Sequence, residues 1–184
     1  FCPASVSPNP IRSLQGAPVQ DQTAEVIWNA GDVPVSVRFD DPYFSLENGL
    51  AETRHVFLGG NDLPARFAGE FGIAELGFGT GLNFLTALRA WQEAGAPGRL
   101  TFTSFEAYPM TQGDMAKALR CFGELDAAAC ALLDVWDPAC GTFDVAAEVS
   151  LKVIAGDARE TLPKWTGRAD AWFLDGFSPA KNPE

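Results

Sequence analysis

Phe71-Gly72-Ile73-Ala74-Glu75-Leu76-Gly77-Phe78-Gly79-Thr80-Gly81-Leu82-Asn83-Phe84-Leu85 is the stretch that decides the fold. Its first part, 72–76, is a short apolar run that reads as a strand. Its last part opens a helix over 82–94, with Leu82, Leu85, Leu88 and Trp91 at helical spacing. Between them stand Gly77, Gly79 and Gly81. Glycine lets the backbone turn tightly and approach a ligand with no Cβ in the way. The helix N-terminus that follows offers free N–H groups. A dinucleotide fingerprint spaces its glycines GxGxxG. Here Leu82 takes the last glycine position, so the spacing is GxGxG, with Glu75 two residues ahead of it.

Strand and helix alternate outward from this loop. Residues 100–105, 149–154 and 169–174 read as strands. Residues 111–122, 124–133 and 157–162 read as helices, and 134–147 as irregular chain. Such alternation predicts an α/β fold with a parallel, doubly wound sheet. Ligands of such sheets bind beyond the carboxyl ends of the strands. The residues that stand there are Glu75 to Gly81, Glu106, Gly156-Asp157 and Asp175. Toward the N-terminus, 24–28 and 35–39 are β-type runs around the turn residues Asn29-Ala30-Gly31-Asp32, which predicts a hairpin. Residues 40–45 read as a loop. A helix is expected over 48–58, capped by Asn48 and stopped by Gly59-Gly60, and a weaker one over 63–67. Residues 1–23, rich in Pro, Ser, Asn and Gln, read as a flexible lead-in to a domain spanning 24–184.

Each strand-end residue has its own chemistry. The ExGxGxG run resembles the cofactor loop of class I S-adenosylmethionine methyltransferases, whose ligand has no pyrophosphate. Glu106 stands 25 positions after Gly81, where a carboxylate can accept two ribose hydroxyls. Asp157 can accept an adenine amino group, or simply cap the helix that follows. Asp175, followed by Gly176-Phe177-Ser178-Pro179, can accept an amine N–H, orient the nitrogen and take its proton. Phe177 can stack on a substrate or favour a developing ammonium. The competing reading makes Asp175 a turn cap and Phe177 core.

Composition narrows the classes. The 184 residues carry a net charge of −11 with scattered basic residues, which alone disfavours a nucleic-acid partner. No apolar run approaches the roughly 18 residues of a membrane span, and the start Phe1-Cys2-Pro3 does not read as a signal peptide. Cys2, Cys121, Cys130 and Cys140 form no CxxC pair, and His55 is the one histidine. No metal site is expected. The cysteines read as unbridged residues of a cytoplasmic protein.

Longer strings carry a closer resemblance. Asp40-Asp41-Pro42-Tyr43-Phe44-Ser45, Asn48-Gly49-Leu50-Ala51-Glu52-Thr53-Arg54, His55-Val56-Phe57-Leu58-Gly59-Gly60-Asn61 and the 77–85 run resemble the methyltransferase domain of the MnmC family. So does Asp170-Ala171-Trp172-Phe173-Leu174-Asp175-Gly176-Phe177-Ser178-Pro179-Ala180-Lys181-Asn182-Pro183, the most specific of them. The resemblance covers about residues 24–184 and implies a Rossmann-like methyltransferase that methylates the aminomethyl nitrogen of wobble 5-aminomethyl-2-thiouridine in tRNA. It implies that Glu75, Gly77, Phe78, Gly79, Thr80, Gly81, Asn83, Glu106 and Asp157 bind S-adenosylmethionine. It places Tyr43, Phe44 and Lys181 on the substrate side, with Asp175 and Phe177 as the catalytic pair. In bifunctional members an FAD-dependent oxidase domain follows.

The family fold continues for three more strands, and nothing in 1–184 matches that half. The expectation is an exposed edge on the last strand and poor stability and little activity for these residues alone. Basic surface for tRNA is expected outside this stretch. Two other readings stay open: a methyltransferase of the same fold acting on a small-molecule amine, which suits the acidic charge, and a non-catalytic cofactor-binding remnant.

Overall fold

The 77–81 loop lies at the carboxyl end of the strand that holds the sheet together. The computed structural model describes residues 23–29, 31–45, 47, 49–177 and 182. Its main sheet contains β4 (Gly69–Leu76), β5 (Gly98–Glu106), β6 (Gly141–Ala146), β7 (Val149–Ala155) and β8 (Ala171–Leu174), in the order β6-β7-β5-β4-β8. β4 pairs parallel with β5 on one side and with β8 on the other. The chain therefore leaves β4 in two directions across the sheet, which makes its end the switch point where such sheets bind ligands.

Packing explains this arrangement. Ile73 and Ala74 of β4 are fully buried. Helix α2 (Leu82–Ala94) buries Leu82, Phe84, Leu85, Leu88 and Trp91. Phe84 meets Phe102 edge-on at 5.3 Å, and Phe102 meets Phe173 at 5.8 Å, so one aromatic seam joins α2, β5 and β8. Each such buried ring contributes roughly 1.5–3 kcal/mol of burial. Helices α3 (Gln112–Leu119) and α4 (Asp126–Val135) follow, with Thr111 accepting the Asp114 N–H as the α3 cap.

Four local expectations change. Residues 134–147 contain β6, an antiparallel edge strand on β7. Phe143 and Val145 point inward while Thr142 and Asp144 face solvent, and Glu148 takes the left-handed turn between the strands at φ 56°. The 48–58 helix is α1 (Gly49–Thr53) followed by a wider turn over Arg54–Leu58, and it does not end at Gly59-Gly60. Gly59 is itself helical, and the left-handed stop is Asp62 at φ 54°. Residues 63–67 form turns around a cis Leu63-Pro64 bond. The 40–45 loop contains a third short strand.

The hairpin is present as β1 (Val26–Trp28) against β2 (Pro34–Ser36), with β3 (Asp41–Pro42) added to β2. After β7, Asp157 caps α5 (Ala158–Thr161). Among the described residues β8 pairs only with β4, and Trp172 and Leu174 on it are exposed. No described helix is long and apolar enough to cross a membrane. Cys130 is disulfide-bonded while Cys121 and Cys140 are free thiols, so the expectation of unbridged cysteines fails at Cys130. The lead-in 1–22, the Asn48 cap, 178–181 with Lys181, and 183–184 lie outside the described residues.

Candidate active site at the strand ends

The glycine loop is shaped by close protein neighbours. Gly77, Gly79 and Gly81 have φ of 87°, 53° and 77°, where an L side chain is strained. A Cβ on Gly77 would lie 2.5 Å from the Asp175 carbonyl oxygen, so glycine lets the loop touch the end of β8. A Cβ on Gly79 would meet the Tyr43 ring at 3.2 Å. The Gly77 N–H donates to the Phe105 carbonyl at 2.9 Å, which ties the loop to β5 as well. Within the loop, Phe78 is buried against Trp136 at 5.0 Å, and Thr80 is buried.

Glu106 ends β5 and organises its side of the site. Its Oε2 accepts the Gly79 N–H at 2.9 Å, and its Oε1 accepts the Tyr108 N–H at 2.8 Å. A carboxylate has about four lone-pair sites, so each oxygen keeps acceptor capacity for a ligand hydroxyl. The Gly156 N–H donates to the Glu106 carbonyl at 2.9 Å, bringing the end of β7 to the same place. Asp157 accepts the Arg159 N–H at 2.8 Å and pairs with its guanidinium at 2.6 Å. The Arg159 side chain and then its backbone N–H hold the Asp157 carboxyl below its ordinary range.

A second cluster joins β4, α2 and β8. Glu75 has no exposed surface. Asn83 donates from Nδ2 to Glu75 Oε1 at 2.9 Å and to Asp175 Oδ2 at 2.6 Å. Its Oδ1 accepts the Thr53 hydroxyl of α1 at 3.0 Å. Burial pushes the Glu75 carboxyl well above its ordinary range, with Asp175 and Glu106 adding to the rise. Burial also pushes Asp175 up to about 6, against the lowering hydrogen bond from Asn83. Glu75 Oε2 and Ser104 Oγ are buried side-chain atoms without a geometric partner, on residues paired in the β4–β5 register.

Aromatic rings wall the cleft. Phe177 stacks on Phe39 at 4.5 Å and meets Tyr43 edge-on at 5.2 Å. Phe39 meets Tyr108 at 5.9 Å, and the exposed Arg38 guanidinium lies 4.5 Å over the Tyr108 ring. Burial, with Glu106 nearby, pushes the Tyr43 phenol up to about 12. Phe44 is not in this wall. It is buried against Phe122 at 4.9 Å.

Glu75, Asn83, Glu106, Asp175, Phe177 and Tyr43 are thus brought together with the loop, while Phe44 is core. Sequence reasoning passed over Thr53, Phe39 and Tyr108. Thr53 lies within the Asn48–Arg54 string and Phe39 ends the β-type run 35–39, with no local sign of a role in the site. The signal for Tyr108 was its place two residues after a strand-end acid. Among the described residues no group of three or more His, Cys, Asp or Glu side chains is placed to hold a metal ion.

Known proteins align with this arrangement. The family described as S-adenosyl-L-methionine-dependent methyltransferase matches residues 124–184. The tRNA 5-methylaminomethyl-2-thiouridine biosynthesis bifunctional protein MnmC of Chromobacterium violaceum is 49% identical over 174 residues, covering 88% of this chain and 26% of that protein. The protein of the same name from Stutzerimonas stutzeri is 46% identical over 179 residues, covering 91% and 27%. This chain therefore spans about a quarter of the length of the curated relatives it matches. A crystal structure of MnmC2 from Aquifex aeolicus superposes with a TM-score of 0.60 at 24% identity, over 90% of this chain and 53% of that one, and supports the fold.

Proposed function

From a chain related to the methyltransferase part of the MnmC proteins, we propose an S-adenosylmethionine-dependent methyltransferase whose acceptor is the aminomethyl nitrogen of wobble 5-aminomethyl-2-thiouridine in tRNA. The observation that carries the chemistry is Asp175, a partly exposed carboxylate at the switch point with its pKa raised to about 6.

The residues present fit the cofactor. Glu106 keeps free acceptor sites beside the glycine loop, which suits a ribose diol. Asp157 stands at the end of the next strand for an adenine amino group, with its carboxylate charged. The loop offers main chain rather than side chain, since Phe78 and Thr80 are turned inward. Bound S-adenosylmethionine supplies a methyl group on a positively charged sulfur.

Asp175 accepts an N–H of the incoming amine and points its lone pair along the line of displacement. When the new N–C bond forms, the methyl–sulfur bond would break and leave a neutral thioether, the nitrogen would become an ammonium, and Asp175 would take the proton it sheds. A carboxylate with a pKa of about 6 is ionised at neutral pH and a stronger base than an ordinary one. The Phe177 and Tyr43 rings provide an apolar wall that can stack on an unstacked uridine and favour the cationic nitrogen. Lys181 belongs to the same reading on the substrate side. No FAD contact is assigned to this chain.

The acidic charge favours a second reading, a small-molecule amine as acceptor. Incubation of the full-length protein with labelled S-adenosylmethionine, undermodified tRNA and small amines separates the two. Label in the wobble nucleoside supports the proposal, and label only in small amines overturns it.

A further inference from the structure

We propose that Asn83 is a positioning residue for Asp175 and that Thr53, from α1, anchors the far end of its amide. This rests on the proposed function, because it concerns the carboxylate that the reaction uses.

An Asn amide has one acceptor end and one donor end. Here Nδ2 bridges two carboxyl groups, Glu75 Oε1 at 2.9 Å and Asp175 Oδ2 at 2.6 Å, while Oδ1 receives the Thr53 hydroxyl at 3.0 Å. A flipped amide would set its carbonyl oxygen against both carboxyl groups and lose the two hydrogen bonds that Nδ2 makes. The two carboxyl groups therefore set the orientation, and the Thr53 hydroxyl, which can donate or accept, donates to the carbonyl end and holds the amide in place. All three of these Asn83 contacts are made within the protein, and both Asn83 and Thr53 are buried. The side chain is thus committed to the carboxyl groups, which revises the expectation that it binds cofactor.

The surroundings make this support matter. The charged group acting on Asp175 is acidic: Glu52 on α1. The hydrogen bond from Asn83 is the interaction that lowers the Asp175 pKa against burial and Glu52. Asn83 keeps Asp175 ionised, aimed and ready to accept an N–H. Thr53 does so at one remove, on an element with no part in the cofactor loop. A hydroxyl on the first helix thereby sets the pH at which the catalytic carboxylate becomes available.

The test is the pH dependence of single-turnover methyl transfer to undermodified tRNA by the full-length protein, in wild type, Thr53→Val, Thr53→Ser and Asn83→Asp. Removing the donor raises the Asp175 pKa, so the acid limb moves to higher pH. The expected shift is about one unit in Thr53→Val and more in Asn83→Asp, which adds a third carboxyl group. Thr53→Ser keeps the hydroxyl and restores the wild-type limb. S-adenosylhomocysteine affinity stays within about threefold of wild type in Thr53→Val, marking a folded cofactor site. Should Thr53→Val fail to fold, Asn83→Asp decides. An active wild type whose folded variants keep its acid limb in place overturns the inference and leaves the proposed function standing. Absence of methyl transfer by the wild type removes the proposed function and this inference together.

Discussion

The two halves of the strand-end row use carboxylates in opposite ways. On the β5–β7 side, Glu106 is held by two backbone N–H groups and Asp157 by an arginine. On the β4–β8 side, Glu75 and Asp175 share one amide donor and have raised pKa values, with Glu52 adding to the rise at Asp175. The same residue types at the same edge of one sheet therefore differ in what they can do. Asp157 is kept charged and is suited to accepting hydrogen bonds. Asp175 is poised to gain and lose a proton near neutral pH. Desolvation against compensating donors decides the difference.

The comparison breaks most sharply at Asp175. Asp175→Ala removes the proposed proton acceptor and is expected to lower kcat by roughly 10²–10⁴-fold. S-adenosylhomocysteine affinity, measured by calorimetry, should stay within a few-fold. Loss of that affinity instead would move Asp175 to the cofactor side and erase the division. In the wild type, kcat should fall below an acid limb near pH 6, where Asp175 becomes protonated.

Glu106 is the counterpart test. Glu106→Ala takes away the acceptor of the Gly79 and Tyr108 N–H groups together with the proposed ribose contacts. Hydrogen bonds to a charged group are worth about 1.5–3 kcal/mol, so affinity for S-adenosylhomocysteine should fall roughly 10–150-fold. Unchanged affinity would sink the ribose assignment.

Glu75 sharpens the comparison through stability rather than turnover. Its folded-state pKa is raised by burial. Below the ordinary carboxyl range both folded and unfolded states carry the proton, and the stabilising contribution is complete. As pH rises, the unfolded chain ionises first and that contribution is lost through the folded-state pKa. Glu75→Gln removes the dependence while keeping an acceptor for Asn83. Thermal unfolding should show the variant gaining on wild type at pH 8, with the difference shrinking toward pH 4. A pH-independent difference would mean that Glu75 is charged in the fold.

This division was only partly readable in the sequence. The glycine spacing, the strand-end acids and the α2 bounds were legible because they are local: spacing sets the turn, and helical periodicity sets the buried face. The coupling of Glu75 to Asp175 was not, since it depends on Asn83 and Thr53 meeting across 30 positions of chain. Neither was the role of Gly77, whose neighbour is a carbonyl nearly a hundred residues away. β6 carried a weak local signal, the alternation of Phe143 and Val145 with Thr142 and Asp144. An adjoining Asp-Pro and Cys-Gly turn chemistry hid it. Phe44 is core rather than substrate-side because its partner, Phe122, is far away in the chain and leaves no local sign.

The mildest prediction concerns Asp157, where two roles share one side chain. Asp157→Asn removes the charge paired with Arg159, but asparagine is as good a cap and still presents a carbonyl oxygen. The Arg159 partner is largely exposed, so the ion pair contributes about 0–1 kcal/mol. Stability should therefore change by less than about 1 kcal/mol. The remaining amide oxygen can accept an adenine N–H as a neutral group, and charge-assisted bonds are about twice as strong as neutral ones. Cofactor affinity should accordingly weaken by only a few-fold. Asp157→Ala removes both the cap and the acceptor. If Asp157→Ala weakens S-adenosylhomocysteine binding no more than Asp157→Asn does, Asp157 is a helix cap alone, and the cofactor half of the row rests on Glu106 and the glycine loop.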